Sequence, residues 1–410
     1  MTAVAVRCRG CGQGTLEVVL DLGFQPLANA LIGPEDLERP EPRYPLALAF
    51  CRRCSLAQIT ETVRPEALFR EYAYFSSVSD EMVDHARGIA ERMVVERGLG
   101  PDSLVVELAS NDGYLLQHYV AHGIPVLGID PARNVAEEAT ARGVPTIAEF
   151  FDADVAADLH RSGRDADVIH ANNVLAHVPD VHGFVSGIAT ILKPGGIAVI
   201  ETPYVRDLVE RVEFDTIYHE HVFYYSLSSL ARILADHGLA VADVERLAIH
   251  GGSLRIFVTH AGSVVPDPTV AGLQAEEDAL GVGTIAYFTA FAARVETLGD
   301  ELRAVLSGMK GRGESVAAYG AAAKGAVLLN AFGIGTETID FVADRSPHKQ
   351  GRYMPGVRIP IVPAERLLEA MPDACLLLTW NFADEILRQQ TEYRAHGGRF
   401  VIPVPKPTLV

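Results

Sequence analysis

Short apolar segments alternate with helical patterns through the middle of the chain. Apolar runs of strand length occupy residues 103–108, 126–130, 167–170 and 196–201, and one further run precedes Phe150. Strands that alternate with helices are typical of a parallel, doubly wound sheet. Residues 81–245 are therefore predicted to hold one α/β unit.

The same alternation returns in the last third of the chain. A short strand is predicted at 253–259, and a long helical stretch runs from about Pro268 to Lys310. Further strand patterns follow at residues 315–319, 339–344, 374–379 and 399–402. A second α/β domain is therefore expected after the first.

The first 70 residues have a different pattern. Glycine and proline interrupt them so often that neither helical nor strand periodicity is sustained. We interpret this stretch as a small irregular module. The predicted fold class is α/β, and the predicted domains are residues 1–70, 71–245 and 246–410.

Composition narrows the expected partners and compartment. The 410 residues carry 35 Lys and Arg against 53 Asp and Glu, a net charge of −18. A nucleic-acid backbone is bound by clustered cations, so we expect no nucleic-acid partner. No apolar run reaches the roughly 18 residues of a membrane helix, and the first residues contain no sustained apolar signal segment. We expect a cytoplasmic protein with reduced cysteines and no membrane contact.

Four of the five cysteines form two C-x-x-C pairs near the N-terminus. The pairs are Cys8 with Cys11 and Cys51 with Cys54. Each pair offers two thiolates from one tight turn, and zinc binds four thiolates tetrahedrally. A module of this size would lack a core without a metal. We predict one structural zinc ion with no open coordination position.

The turn after the first core strand is a candidate cofactor site. It reads Glu107-Leu-Ala-Ser110-Asn111-Asp-Gly113, and Asp130 ends the next strand. Such a turn presents backbone N–H groups to a ligand, and the acid can accept both hydroxyls of a ribose. The turn is not G-x-G-x-x-G, which disfavours a nicotinamide cofactor. The alternative is a plain turn whose Asn and Asp cap the helix.

A candidate ligand-binding segment follows the fourth strand. It reads Asn172-Asn173-Val-Leu-Ala-His177. In doubly wound sheets, ligands bind at the carboxyl ends of the strands, where this segment lies. A purely structural histidine is the alternative interpretation.

The segment Tyr218-His219-Glu220-His221 is a candidate acid–base site. The zinc motif H-E-x-x-H would place its histidines four residues apart, which these are not. Three titratable groups in four residues suit general acid–base catalysis, with a packed aromatic loop as the alternative. If the segment is extended, His219 and His221 share one face.

The C-terminal domain contains a further strand–turn–helix with a candidate ligand contact. The turn Tyr319-Gly-Ala-Ala-Ala-Lys324-Gly is rich in small residues that let a phosphate approach the backbone, and Lys324 adds a positive charge. It is not a Walker A sequence, and a simple tight turn is the alternative.

Taken together, these segments resemble the S-adenosylmethionine-dependent nucleotide-sugar C-3-methyltransferases of deoxysugar biosynthesis. The resemblance covers the whole chain and rests on the order C-x-x-C, C-x-x-C, S-N-D-G-x-L, N-N-V-x-A-H, Y-H-E-H-V, H-G-G-S-L-R and Y-G-A-x-x-K-G. It implies a zinc module, a Rossmann-like class I methyltransferase core and a C-terminal α/β domain that helps to bind a nucleotide sugar. The implied methyl donor is S-adenosylmethionine, and the implied substrate is a dTDP-linked 4-keto-deoxysugar.

The resemblance also implies roles for individual residues. It favours His221 as the base over His219, which the residues alone do not separate. The catalytic site would further contain Tyr218, Glu220 and His177. Substrate contacts are expected from Tyr72, Asn173, His250 and Lys324, and cofactor contacts from Glu107, Ser110, Asn111, Gly113 and Asp130. Ala109 stands where many relatives have glycine, which is tolerable if its φ is negative.

The implied chemistry agrees with these residue types. A proton beside a ketone is acidic enough for a positioned histidine, and Tyr or His can donate to the enolate oxygen. Two alternatives remain: an O- or N-methyltransferase of another small metabolite, and a non-catalytic zinc-containing scaffold that binds a nucleotide. We expect the enzyme to be a monomer.

Overall fold

A computed structural model describes residues 3–13, 15–69 and 75–410 of the chain. They form three sheets of five, seven and six strands. Among these residues, none of the helices combines the length and apolar composition that crossing a membrane requires.

The N-terminal module is built on an antiparallel sheet and is not irregular as predicted. Its elements are β1 (Ala3–Arg7), β2 (Thr15–Gln25), β3 (Tyr44–Phe50), β4 (Ala57–Ile59) and the short helix α1 (Pro65–Phe69). The pairing of β2 with β3 shifts register twice. Such irregularities interrupt the alternation of apolar and polar residues, so the strand pattern is hidden in the sequence.

The central domain is a seven-stranded sheet with helices on its faces. Its elements in chain order are α2 (Asp80–Arg97), β5 (Val105–Leu108), α3 (Leu116–Ala121), β6 (Val126–Ile129), α4 (Arg133–Ala141), β7 (Thr146–Ile147), α5 (Ala153–Arg161), β8 (Ala166–Asn172), α6 (Val181–Ile191), β9 (Leu192–Pro203), α7 (Val205–Glu210), β10 (Phe223–Tyr224), α8 (Leu227–Ala235), β11 (Leu239–Leu247) and β12 (Ser253–His260). The strand order is β11-β12-β9-β8-β5-β6-β7. The strands from β5 to β9 run parallel, as the alternating pattern predicted.

One edge of this sheet extends beyond the predicted domain boundary. β12 pairs antiparallel with β9, and β11 pairs antiparallel with β12. The boundary predicted between residues 245 and 246 therefore falls inside β11, which the sequence pattern did not predict. β11 is an edge strand with Asp243, Glu245 and Arg246 among its residues, so it lacks the apolar run of a central strand.

The C-terminal domain contains the third sheet, of order β15-β14-β13-β16-β17-β18. Its elements are α9 (Pro268–Leu280), α10 (Ile285–Gly311), β13 (Val316–Tyr319), α11 (Ala323–Phe332), β14 (Val342–Asp344), β15 (Ile361–Pro363), α12 (Arg366–Ala370), β16 (Ala374–Leu377), α13 (Ala383–Gln389), α14 (Thr391–Ala395), β17 (Arg399–Ile402) and β18 (Thr408–Leu409). All neighbouring strands are parallel except β17 and β18.

The helical stretch predicted from Pro268 to Lys310 is two helices. Gly281 ends α9 in the left-handed conformation, with a φ of +72°. Thr284 then caps α10 by accepting a hydrogen bond from the N–H of Tyr287 at 3.4 Å. A glycine followed closely by a capping threonine is a stop and a start signal, which ends one helix and begins the next.

Both flanking domains pack against one segment of the central domain. β10 pairs with β4, so it completes the sheet of the N-terminal module. On the other side, the ring of Phe214 stacks on Phe332 of α11, with ring centroids 4.7 Å apart. Residues 214–224 are thus held from two directions, and this segment contains the predicted acid–base motif.

Candidate active site

A cavity of about 960 Å³ opens where the three domains meet. Asn111, Asp130 and Asn173 line it at the carboxyl ends of β5, β6 and β8, which is where doubly wound sheets bind ligands. Arg64 reaches the cavity from the N-terminal module, and Lys324 reaches it from the C-terminal domain. His177, Tyr218 and His221 line the same space.

The Tyr218–His221 segment turns instead of extending. The N–H of His221 donates to the carbonyl oxygen of Tyr218 at 2.9 Å, which closes a tight turn. The rings of Tyr218 and His221 therefore lie together, with centroids 4.2 Å apart, and both line the cavity. The expectation that His219 and His221 share a face is wrong, because it assumed the two-residue period of a strand.

Hydrogen bonds define the tautomer of His221. Its Nδ1 lies 2.8 Å from the carbonyl oxygen of Thr216. Because a carbonyl oxygen can only accept, Nδ1 carries a proton, and in the neutral imidazole Nε2 then keeps its lone pair. The hydroxyl of Tyr218 donates to Nε2 at 3.1 Å. His221 therefore presents the nitrogen that a general base requires, on a side chain that lines the cavity.

His177 is a neutral neighbour of His221. The two rings meet edge to face with centroids 4.8 Å apart. Nδ1 of His177 donates to the carbonyl oxygen of Glu220 at 2.8 Å, and burial lowers the pKa of His177 to about 4. An uncharged His177 adds no positive charge beside His221.

The other two residues of the motif face the N-terminal module. His219 is buried, its Nε2 donates to the carbonyl oxygen of Pro45 at 3.2 Å, and its ring meets the edge of Tyr44. The buried carboxyl of Glu220 accepts a hydrogen bond from Nδ2 of Asn29 at 2.7 Å, and burial raises its pKa. Neither residue is among the described residues that line the cavity. Of the two histidines of the motif, His221 lines the cavity and His219 packs against the N-terminal module.

Asp130 stands at the tip of β6 with its carboxyl held in place. Oδ2 accepts from the N–H of Asn111 at 2.9 Å, and Oδ1 accepts from the N–H of Ala132 at 2.8 Å. Burial raises the pKa of this carboxyl. Each oxygen has a further lone pair, so the carboxyl can still accept the two hydroxyls of a ribose.

Three other residues of the predicted cofactor turn do not reach the cavity. Glu107 and Ser110 are buried and, like Gly113, are not among the described residues lining the cavity. Burial raises the pKa of Glu107 well above its ordinary value. Ala109 does line the cavity, but its φ is +58°, not negative as its tolerance required. A side chain in the left-handed region costs about 1–2 kcal/mol, so this turn is strained.

One part of the cavity wall consists of residues that the sequence pattern did not predict. Phe150, Phe151 and Asp152 follow β7 and line the cavity. Phe150 and Phe151 line the same cavity as Asp130, and aromatic rings suit contact with a planar base such as adenine. Their position after a core strand, at the same sheet edge as Asp130, was the available signal.

The C-terminal domain contributes another part of the cavity wall. Lys324, in the first turn of α11, donates from Nζ to Oδ1 of Asn381 at 3.0 Å and lies 4.6 Å from the ring centroid of Trp380. Asn381 and Phe382 also line the cavity, and neither was predicted. Two predicted substrate contacts cannot be placed here: Tyr72 lies outside the described residues, and so does the side chain of His250.

The four predicted metal ligands come together in the N-terminal module. The sulfur atoms of Cys8, Cys11, Cys51 and Cys54 lie within 4.8 Å of one another. The Cys8–Cys54 and Cys11–Cys51 sulfur pairs are 3.5 Å and 3.7 Å apart. Four thiolates around zinc at a bond length of about 2.3 Å would lie about 3.8 Å apart, so the cluster has the size of a tetrahedral zinc site.

Comparison with known proteins identifies the family. Three family models match consecutive parts of the chain: "Putative zinc binding domain" at residues 8–69, "Methyltransferase domain" at 84–244 and "C-methyltransferase C-terminal domain" at 248–405. The C-methyltransferase NovU of Streptomyces niveus is 38% identical over 404 residues, which cover 98% of this chain and 96% of NovU. This chain belongs to the S-adenosylmethionine-dependent C-methyltransferases. The predicted family, fold class and enzyme class are thereby confirmed.

Two further proteins match only part of this chain. The ubiquinone biosynthesis O-methyltransferase of Burkholderia pseudomallei (strain 1710b) is 25% identical over 167 residues, covering 37% of this chain and 70% of its own. The solved magnesium protoporphyrin IX methyltransferase of Synechocystis PCC 6803, with bound S-adenosylmethionine, covers 47% of this chain and 86% of its own at 16% identity, with a TM-score of 0.35.

Proposed function

We propose that this C-methyltransferase transfers a methyl group from S-adenosylmethionine to C-3 of a dTDP-linked 4-keto-deoxysugar, as a step of antibiotic-type deoxysugar biosynthesis. The observation that carries the proposal is the Thr216–His221–Tyr218 arrangement. The Nδ1 contact with the Thr216 carbonyl leaves Nε2 as the basic atom of the neutral imidazole, and His221 lines the same cavity as Asp130 and Lys324. An oxygen or nitrogen nucleophile would need no such carbon base.

The chain's own residues supply the proton transfer. Nε2 of His221 takes a proton from C-3, and the electrons of that C–H bond move into an enolate whose negative charge rests on the C-4 oxygen. The Tyr218 hydroxyl, released from Nε2, can then donate to this oxygen. The enolate carbon takes the methyl group from the sulfonium, which leaves as a neutral thioether, and the proton stays on His221.

Binding and orientation come from the cavity walls. The Asp130 carboxyl and the rings of Phe150 and Phe151 would hold the ribose and adenine of the methyl donor. Lys324, in another part of the cavity wall, would lie near the phosphates of the nucleotide sugar. Reacting atoms held in line supply a large part of the rate enhancement of such transfers.

We also propose one zinc ion at the four cysteines, with a structural role. Gln58 of β4 donates to the sulfur of Cys8 at 3.1 Å, and Gln58 itself pairs with Phe223 of β10, directly after the acid–base motif. The metal would stabilise the sheet that holds this motif in place.

The test is methyl transfer to a defined sugar nucleotide, analysed by mass spectrometry and NMR. The zinc-loaded enzyme with S-adenosylmethionine should add one methyl to carbon in a dTDP-4-keto-deoxysugar and none to its C-4 alcohol, which lacks an acidified C–H bond. A ketone acidifies both adjacent carbons, so NMR must locate the methyl. A methyl on C-5 overturns the position, a methyl on oxygen supports the O-methyltransferase alternative, and absence of both binding and transfer overturns the sugar substrate.

A further inference from the structure

One carboxyl of the cavity wall has no role in the mechanism above. Glu213 is only 4% exposed and lines the cavity. Its Oε1 accepts no hydrogen bond from any residue that the structure describes, and its ion-pair contact with Arg211 is 3.9 Å long. A buried acceptor without a donor is costly, so such groups in native proteins have a partner that the protein alone does not provide.

Backbone packing holds this carboxyl against the cavity. Gly251, of the H-G-G-S-L-R segment, has a φ of +91°, and a Cβ there would lie 2.5 Å from Oε2 of Glu213. The Cβ of any other residue at position 251 would clash with this carboxyl, which explains why a glycine stands there. The turn packs against both carboxyl oxygens, since the same Cβ would lie 3.0 Å from Oε1, and no residue that the structure describes donates a hydrogen bond to Oε1.

The groups around Glu213 leave it uncharged near neutral pH. Burial raises the pKa of Glu213 to about 8, against the attraction of Lys324 and Arg211 and together with the repulsion of Asp215 and Asp207. A protonated carboxyl both donates and accepts a hydrogen bond. A hydroxyl group does the same, whereas an ionised carboxylate would repel an anionic sugar nucleotide.

We propose that Glu213 contacts the substrate and binds a ring hydroxyl of the sugar nucleotide. The proposal rests on the sugar-nucleotide substrate proposed above. It follows from the unpartnered, buried oxygen in the cavity wall and from the chain connection, because Glu213 lies three residues before Thr216, whose carbonyl orients His221. Glu213 is thereby a determinant of substrate specificity beside the reacting carbon.

The test compares Glu213→Ala and Glu213→Gln in the zinc-loaded, full-length enzyme. Loss of one such hydrogen bond in Glu213→Ala should raise KM for the sugar nucleotide about tenfold. The affinity for S-adenosylmethionine, measured by calorimetry, should stay unchanged. Glu213→Gln keeps a donor and an acceptor, so its KM at pH 7 should stay within about threefold of the wild type.

The pH dependence provides a second readout. In the wild-type enzyme, KM for the sugar nucleotide should rise as pH passes the Glu213 pKa of about 8, because the carboxylate then opposes an anionic ligand. Glu213→Gln cannot ionise and should remove this rise. Analogues lacking one ring hydroxyl at a time identify the group, because with the correct analogue Glu213→Ala has no further effect.

Glu201→Gln is the matched control. Glu201 is an equally buried carboxyl near the end of β9, but it accepts from Nε of Arg255 at 2.7 Å and is not among the described residues that line the cavity. Its variant should change stability and leave KM unchanged. An unchanged KM in folded Glu213→Ala, or an unchanged pH dependence in Glu213→Gln, overturns the proposal. A wild-type enzyme that neither binds nor methylates the sugar nucleotide overturns the proposed function, and this inference with it.

Discussion

The indole Nε1 of Trp380 donates to the Oδ2 atom of Asp215 at 2.7 Å. Trp380 belongs to the C-terminal domain, and Asp215 is a fully buried residue of the methyltransferase domain. Asp215 adjoins Thr216, whose carbonyl orients the imidazole of His221. One hydrogen bond between domains therefore holds the residue next to Thr216, whose carbonyl sets the tautomer of His221.

Trp380→Phe should weaken this support while keeping an aromatic ring beneath Lys324. The variant leaves a buried carboxyl without its donor, which costs about 1–3 kcal/mol of unfolding free energy. We expect kcat to fall about tenfold with a smaller change in KM, because His221 loses its orientation. Tyr393→Phe is the control: it deletes a hydroxyl that donates to the carbonyl of Pro372 elsewhere in the same domain and should lower stability only. Equal kcat values for the two variants would contradict the link.

His221→Asn should abolish proton abstraction without preventing binding. The amide keeps polarity and similar size but cannot act as a base, so methyl transfer should fall by about 10²–10⁴-fold. Calorimetry should still detect S-adenosylmethionine and the sugar nucleotide. His219→Asn is the control, because His219 donates to Pro45 away from the cavity. Near-normal transfer by His221→Asn, with loss in His219→Asn, would reverse the assignment of the base.

Asp130→Ala should weaken cofactor binding by more than Asp130→Asn. Alanine removes the acceptors for the ribose and for the N–H groups of Asn111 and Ala132, whereas asparagine keeps one oxygen. We expect a loss of affinity for S-adenosylmethionine of roughly tenfold or more in calorimetry, with a fold preserved by circular dichroism. Wild-type affinity in folded Asp130→Ala would place the cofactor elsewhere.

Metal analysis should find one zinc ion per chain. Cys51→Ser should lower zinc content and also methyl transfer, because β4 of the zinc module pairs with β10 beside the acid–base motif. Cys375→Ala is the control, since this cysteine is buried in β16 away from the cluster and should leave the zinc content unchanged. A folded, active wild-type enzyme without zinc would falsify the assignment.

Ala109→Gly should stabilise the enzyme. Glycine adopts the φ of +58° without a Cβ clash, and the relief exceeds the extra entropy of the unfolded chain by about 1 kcal/mol. Thermal unfolding should show a higher Tm. Ala86→Gly, in the interior of α2, is the control. It should lower the free energy of unfolding by about 1 kcal/mol and therefore lower Tm. A lower Tm for Ala109→Gly would mean that the alanine methyl contributes packing that outweighs the strain.

The periodicity and spacing of residues along the chain were enough to predict much of the fold. Strand and helix periodicity predicted the parallel strands from β5 to β9, and the spacing of two C-x-x-C pairs predicted four sulfur atoms that meet. They were not enough for β2, where shifts of register break the alternation, or for the edge strand β11, whose polar face resembles a loop. Periodicity carries information only where burial repeats regularly.

For the site, the sequence by itself determined which residue types follow which strands, and hence that Asn111, Asp130, Asn173 and His177 gather at one edge of the sheet. Only the tertiary structure separated His221 from His219, because a tight turn and two flanking domains decide where each imidazole points. Likewise, only the folded backbone shows the positive φ of Ala109. Only the packing of the described residues shows that Oε1 of Glu213 receives no hydrogen bond from them. The spacing of residues in the sequence shows which residues are neighbours along the chain. The orientation and the burial of a side chain depend on the other segments that pack against it.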